Sequence, residues 1–448
     1  MRKLFIFLMA LCVFLQVAVV ANAASGKLDM QVVAPESVGM SSARLDRIQA
    51  AWEREIEKKS FAGAVTLIAR DGKVVYYKTV GHLDAKQTKP MPFDAVFNIA
   101  SMTKPVVSIA TMMLAEQGIL KISDPISKYL PEFVDKEMKV EVVKEDAEGK
   151  IVSELVPAER AITIQDLLRH TSGFTYSDRV SGPLVKKAYA DANIEARAVP
   201  LSGKEMIERL AKAPLVCQPG TLFNYSISTD VLGLLLERVL NKKLDAILNE
   251  MVLEPLGMTE TSFTFTPERK ARQAEFLDTE PNKDGLIRAI EQSASADGTT
   301  SFFGGGGGLI STTSDYFPFL TMLLNGGELN GVRLISPVTL ALMTTDHLTG
   351  TGSSFLNNIG TGSSIFDNAG TGYGFGLGFA VRTNKDGSWG PGSIGDYNWG
   401  GARGTFFIVD PEEKIIGIFM SYGAAVRLHV RQIFRSLLYA AIEKEYVK

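Results

Sequence analysis

The stretch "FNIASMTKPVVSIATMMLAEQG" at residues 97–118 decides how this chain is read. Val106, Val107, Ile109 and Ala110 give it the character of a helix bound for a core, and Gly118 marks its stop. Lys104 breaks that pattern, because burying an ammonium is costly without a partner. Ser101 lies at the helix start on the same face, one turn away, so the amine can reach its hydroxyl. The Ser101 amide also falls among the unpaired first-turn donors, at the positive end of the helix dipole. Burial disfavours the charged lysine, so the expectation is a lowered pKa and a neutral amine that accepts the serine proton. On this reading Ser101 is a nucleophile and Lys104 its base; the alternative is a surface lysine snorkelling over apolar neighbours.

A serine and a lysine leave the departing group without a proton donor. "PGTLFNYSISTDVLGLLLERV" at 219–239 places Tyr225 in a turn just before a helix. A phenol beside a cation can shuttle a proton between nucleophile and leaving group, although alone it reads as a packing residue. The oxyanion needs backbone donors. "YNWGGARGTFFIVD" at 397–410 offers them, since Gly400 and Gly401 permit close backbone approach ahead of a strand. The plainer reading is a tight turn with Trp399 packed against it.

Other motifs carry less. The four histidines are 82, 170, 347 and 429; none is paired at helical spacing and H-E-x-x-H is absent, so neither metal nor cofactor is expected. His170 in "LLRHTSGF" reads as a brace for the Ser172-Gly173 turn rather than a base. The five glycines at 304–308 precede "LIST", not the Lys-Ser/Thr of a phosphate loop, and so read as close backbone packing or a site edge. A helix capped by Thr313 or Ser314 should follow them. No serine has the G-x-S-x-G setting, which disfavours a nucleophile elbow on a doubly wound sheet.

The 448 residues are 46% hydrophobic and 22% charged with net charge −3, a globular composition with no reason to bind nucleic acid or an anionic membrane. "MRKLFIFLMALCVFLQVAVVANAASG" has a charged start, an apolar run and an Ala21-Asn22-Ala23 cleavage site. Residues 1–23 are therefore expected to be a signal peptide, with a periplasmic or secreted mature protein free of the membrane. Cys217 would then be the only cysteine, so no intramolecular disulfide is available.

The pattern predicts an amphipathic helix at 41–60 with a serine cap, then strands "AGAVTLIAR" and "KVVYYKTVG" joined by Asp71-Gly72. Strands "YGFGLGFAVRT", "GTFFIVDP" and "KIIGIFMSY" and a helix from Arg427 to Glu445 close the chain. Helices are expected between them at 103–117, 163–169, 204–212, 229–240 and 314–325. The fold class is α+β: an antiparallel sheet flanked by terminal helices (about 36–97 and 370–445) with a mostly helical insertion (about 98–369). Residues 136–160 read as an exposed hairpin, and the Gly/Ser/Asn-rich 349–376 as an irregular loop at the substrate rim.

"SMTK", "YSIS" and "WGGARGT", in this order, resemble the serine β-lactamase and penicillin-binding-protein superfamily, nearest its class C-like branch with the family VIII carboxylesterases. "GILKISDPISKYLPEF", "LLRHTSGFTY" and "LNGGELNGVRLISP" extend the resemblance through most of 36–445. It implies that Ser101 is acylated, Lys104 is its partner, Tyr225 is the catalytic tyrosine, and the Ser101 and Ala402 amides form the oxyanion hole. Trp399-Gly400-Gly401 stands where β-lactamases carry Lys-Thr-Gly, and would form the substrate-binding edge. A tryptophan supplies no charge for a β-lactam carboxylate and instead offers an apolar wall for neutral esters. Ile227 likewise replaces a polar asparagine. The resemblance thus implies a carboxylesterase acting on a small ester or β-lactam-like molecule. β-Lactamase, D-Ala peptidase or acyltransferase activity, and a sensor that acylates without turnover, stay open.

Overall fold

The computed structural model describes residues 28, 30–134, 137–180, 182–194, 201–299, 301–348, 372–384 and 390–444. The expected signal segment at 1–23 and most of the 349–376 loop lie outside them.

Gly63–Arg70 (β1) and Lys73–Gly81 (β2) pair as a hairpin. Asp71 and Gly72 both take left-handed φ, 51° and 72°, as a two-residue primed turn requires. Tyr373–Phe375 (β3), Ala380–Arg382 (β4), Tyr397–Gly400 (β5), Phe406–Asp410 (β6) and Ile415–Ser421 (β7) complete the sheet. It is seven-stranded and antiparallel, in the order β2-β1-β7-β6-β5-β4-β3, so the N-terminal hairpin pairs directly with the last strand. The single strand expected over 373–383 is split into β3 and β4.

Strands β1 and β7 read as unbroken apolar runs because both faces are covered. Alternate residues sort into two cores. Val65, Leu67, Ile416, Ile418 and Met420 face the larger core. Ala64, Ile68, Ile415 and Phe419 face a smaller one with Trp52 and Phe434.

The six longest described helices are Ser42–Glu57 (α1), Thr103–Glu116 (α2), Ser228–Leu240 (α3), Lys283–Ala294 (α4), Thr313–Leu324 (α5) and Arg427–Ala440 (α6). α1 and α6 cover the smaller core, and α2 and α5 pass through the larger one. α4 was not foreseen; its sequence is largely polar, and one residue, Ile290, is buried. Two caps differ from expectation. Ser41 makes no side-chain cap bond, and the Glu36 carboxylate takes the Ser42 amide at 2.8 Å instead. α5 is capped by Thr312, which accepts from the Asp315 amide at 3.1 Å. The expected hairpin is present as Lys139–Glu145 and Ile151–Pro157, paired with each other.

Candidate active site

The α2 helix does not begin at Ser101. Ala100–Met102 form a 3₁₀ turn before it, and Ala100 is left-handed with φ 45°. That conformation costs a residue with a Cβ about 1–3 kcal/mol and persists only when surroundings impose it. Here Asn98 Oδ1 accepts the Ala100 amide at 3.0 Å and Arg403 Nη1 at 2.6 Å. The segment before the serine is thus tied to the loop after β5.

Lys104 Nζ lies 3.3 Å from Ser101 Oγ, 3.1 Å from Tyr176 Oη and 2.5 Å from the Gly306 carbonyl. Both residues are buried, at 1% exposure for Lys104 and 5% for Ser101. The structure corrects the expected charge. Burial does oppose the ammonium, but Tyr176, Tyr225 and the Asp230 carboxylate outweigh it and hold Lys104 above the ordinary lysine value. Lys104 is therefore a charged donor at rest, not a neutral amine.

Tyr225 is 6% exposed, and its ring face stands 4.7 Å from Lys104 Nζ. Its hydroxyl is buried and makes no hydrogen bond of ordinary geometry among the described residues, although it lies near enough to favour the Lys104 ammonium. An orphaned hydroxyl of this kind is costly and marks a place for chemistry. Tyr176 packs on Tyr225 with ring centroids 5.7 Å apart.

His170 supplies the mounting for Tyr225. Its carbonyl accepts the Asn224 amide at 2.8 Å and its Nδ1 accepts the Ser226 amide at 3.3 Å. The ring lies 4.6 Å from that of Tyr225. The bracing part expected of His170 is thus directed at the tyrosine's own turn. Burial, then the charges of Lys104 and Arg179, keep this imidazole well below its ordinary 6.5. At pH 7 it is neutral in both folded and unfolded chains. Below about 6.5 only the unfolded chain takes up the proton, so stability falls as pH drops toward the folded value. His170→Asn, a residue that tolerates the left-handed φ of 57°, should lower Tm at pH 7 and flatten its decline between pH 7 and 5. Thermal melts across that range check this.

A cavity of about 140 Å³ opens at the nucleophile. Ser101, Tyr176, Gly304, Gly306, Ala402 and Arg403 line its reactive end; Leu201, Leu286, Ala289 and Phe302 line the rest. Ser101 and Ala402 both line it, and no hydrogen bond to another described residue engages either amide. They are available as oxyanion donors.

Trp399, Gly400 and Gly401 are not in this lining. Trp399 is buried with its ring 5.4 Å from Tyr225 and 5.2 Å from Phe375. A Cβ on Gly401 would fall 2.5 Å from the Ile99 carbonyl oxygen, so this glycine brings β5 against the chain leading to Ser101. Ile227 is buried in the core at the N-cap of α3.

Sequence reasoning missed Tyr176, Asp230 and the role of Gly306. Asp230 Oδ1 accepts the Gly306 amide at 2.9 Å while the Gly306 carbonyl accepts from Lys104, so the glycine run is a backbone relay between the two charges. A Cβ on Gly306 would sit 2.3 Å from Asp230 Oδ2, which explains the bare backbone. The only sequence signal was the position of Asp230 in the first turn of the helix after Tyr225.

A buried serine hydroxyl, a lysine and two tyrosines gathered beside a cavity are the site of a serine hydrolase. The chain belongs to the Beta-lactamase family, which it matches over residues 46–435. It is similar to "Protein Rv1367c" of Mycobacterium tuberculosis, 37% identical over 84% of this chain and 89% of the relative. It is similar to "Esterase EstB" of Burkholderia gladioli, 32% identical over 53% of this chain and 56% of the relative. Among solved structures, "EstCE1, a hydrolase with promiscuous acyltransferase activity" is 27% identical with TM-score 0.71, over 90% of this chain and 99% of that one.

Proposed function

We propose that this protein is an exported carboxylesterase that cleaves small esters with short acyl chains through a Ser101 acyl-enzyme. The observation that carries the reading is Lys104 Nζ lying 3.3 Å from Ser101 Oγ, both buried beside the cavity. Ser101 attacks the carbonyl and the Ser101 and Ala402 amides receive the oxyanion. Lys104, as an ammonium, stabilises negative charge on the neighbouring tyrosine oxygens and does not itself take the serine proton. Tyr176 Oη is already held by Lys104, so Tyr225 relays the proton: its Oη takes the serine proton as its own phenol proton passes to the leaving alcohol. Water then repeats the sequence to release the acid. The apolar far wall of Leu201, Leu286 and Phe302 supports a short aliphatic acyl group. The charged, apolar and A-x-A order of residues 1–23 supports export to the periplasm or medium.

Rates with 4-nitrophenyl acetate, butyrate and decanoate, set against nitrocefin, test the assignment. Ester kcat/KM is expected to exceed that for nitrocefin, with decanoate the poorest ester. Faster nitrocefin opening makes the protein a β-lactamase, and a stoichiometric burst without turnover makes it a sensor.

A further inference from the structure

Arg179 is a cation the esterase mechanism does not use. It ends the 3₁₀ turn Ser177–Arg179, whose amide bond from Arg179 to the Tyr176 carbonyl, 3.0 Å, folds the chain back over Tyr176. Its guanidinium carbon stands 5.7 Å from the Tyr176 ring and 5.5 Å from the Tyr225 ring. The side chain is half-buried, and no carboxylate among the described residues pairs with it. These ring contacts engage the charge of the guanidinium, and its N–H groups make no side-chain hydrogen bond among the described residues.

The other arginines around the site are committed. Arg403 donates to Asn98 Oδ1 at 2.6 Å, and Arg431 donates to the carbonyls of Gly401 and Thr405 at 2.5 and 3.1 Å. Among the described side chains that touch the two tyrosines or line the cavity, Lys104, Arg179 and Arg403 are cationic and Asp230 is anionic; Arg179 meets the tyrosines and is not itself in the cavity lining. A chain of net charge −3 thus concentrates positive charge at its reactive centre. Such local excess favours an anionic ligand.

We infer that Arg179 is a specificity-determining residue that binds a carboxylate carried on the alcohol portion of the ester. This rests on the esterase reading for the direction of the substrate: Tyr225 protonates the leaving alcohol, so a group stacked on Tyr225 borders the leaving-group side. A planar fork recognises a carboxylate in a bidentate manner, and partial burial strengthens the pairing. On this inference, the charge that Trp399 cannot supply at the third motif comes from elsewhere in the chain. The anion anchor sits on a different loop.

The test compares 4-acetoxybenzoate with methyl 4-acetoxybenzoate, which differ in one charge beyond the same acetyl ester. Wild type should favour the anion in kcat/KM by about tenfold, the scale of one charge-assisted hydrogen-bonded pair, and less at high salt. Arg179→Met should bring that ratio close to one, and Arg179→Lys should restore part of it. An unchanged ratio in Arg179→Met, or a wild-type preference for the methyl ester, overturns the inference. Calorimetric binding of 4-hydroxybenzoate provides a readout that needs no turnover. Binding lost in Arg179→Met supports the anchor even where ester hydrolysis fails, and binding equal in both proteins contradicts it.

Discussion

Ser101→Ala is expected to lower kcat for 4-nitrophenyl acetate by about 10⁴-fold or more, because no later step exists without the acyl-serine. The fold should survive the change. The lost oxygen is one of three Lys104 partners; Tyr176 and the Gly306 carbonyl remain to hold the ammonium. The variant should therefore melt near the wild-type temperature while losing turnover. Retained activity would place the nucleophile elsewhere.

Tyr225→Phe should separate activity from stability in the opposite sense to most core changes. The hydroxyl makes no hydrogen bond of ordinary geometry among the described residues, and the ammonium it helps to hold keeps Tyr176, Asp230 and the Gly306 carbonyl without it. Tm should change little. The ring contacts to His170, Tyr176 and Trp399 are kept. Activity should nonetheless fall about 10²–10⁴-fold, the usual contribution of a positioned acid–base group. Tyr176→Phe offers the contrast, because it removes an acceptor from a buried ammonium and should destabilise as well as slow. If Tyr225→Phe keeps wild-type kcat, the proton moves through Tyr176 alone.

Much of the fold was legible because local signals and burial agree. Asp71-Gly72 specified its hairpin, and the apolar run after Ser101 announced α2, which starts two residues later at Thr103 and ends two residues before Gly118. What escaped depends on contacts far apart in sequence. α4 is mostly polar because one side of it faces the cavity and solvent rather than core. The charge on Lys104 was misread for a similar reason. Its helix neighbours carry no charge, and the groups that sustain the ammonium arrive from Tyr176, Tyr225 and Asp230. Gly306 looked like part of a featureless glycine run, and its role appears only when Asp230 and Lys104 are seen on either side of it.

The most direct measurement is mass analysis of protein quenched during turnover of a short-chain ester, followed by peptide mapping. Covalent attachment of the acyl group is expected on the peptide spanning residues 97–118, at Ser101, and absent from Ser101→Ala. Hydrolysis that proceeds with no acylated protein at any quench time, or with the acyl group on another residue, contradicts the account.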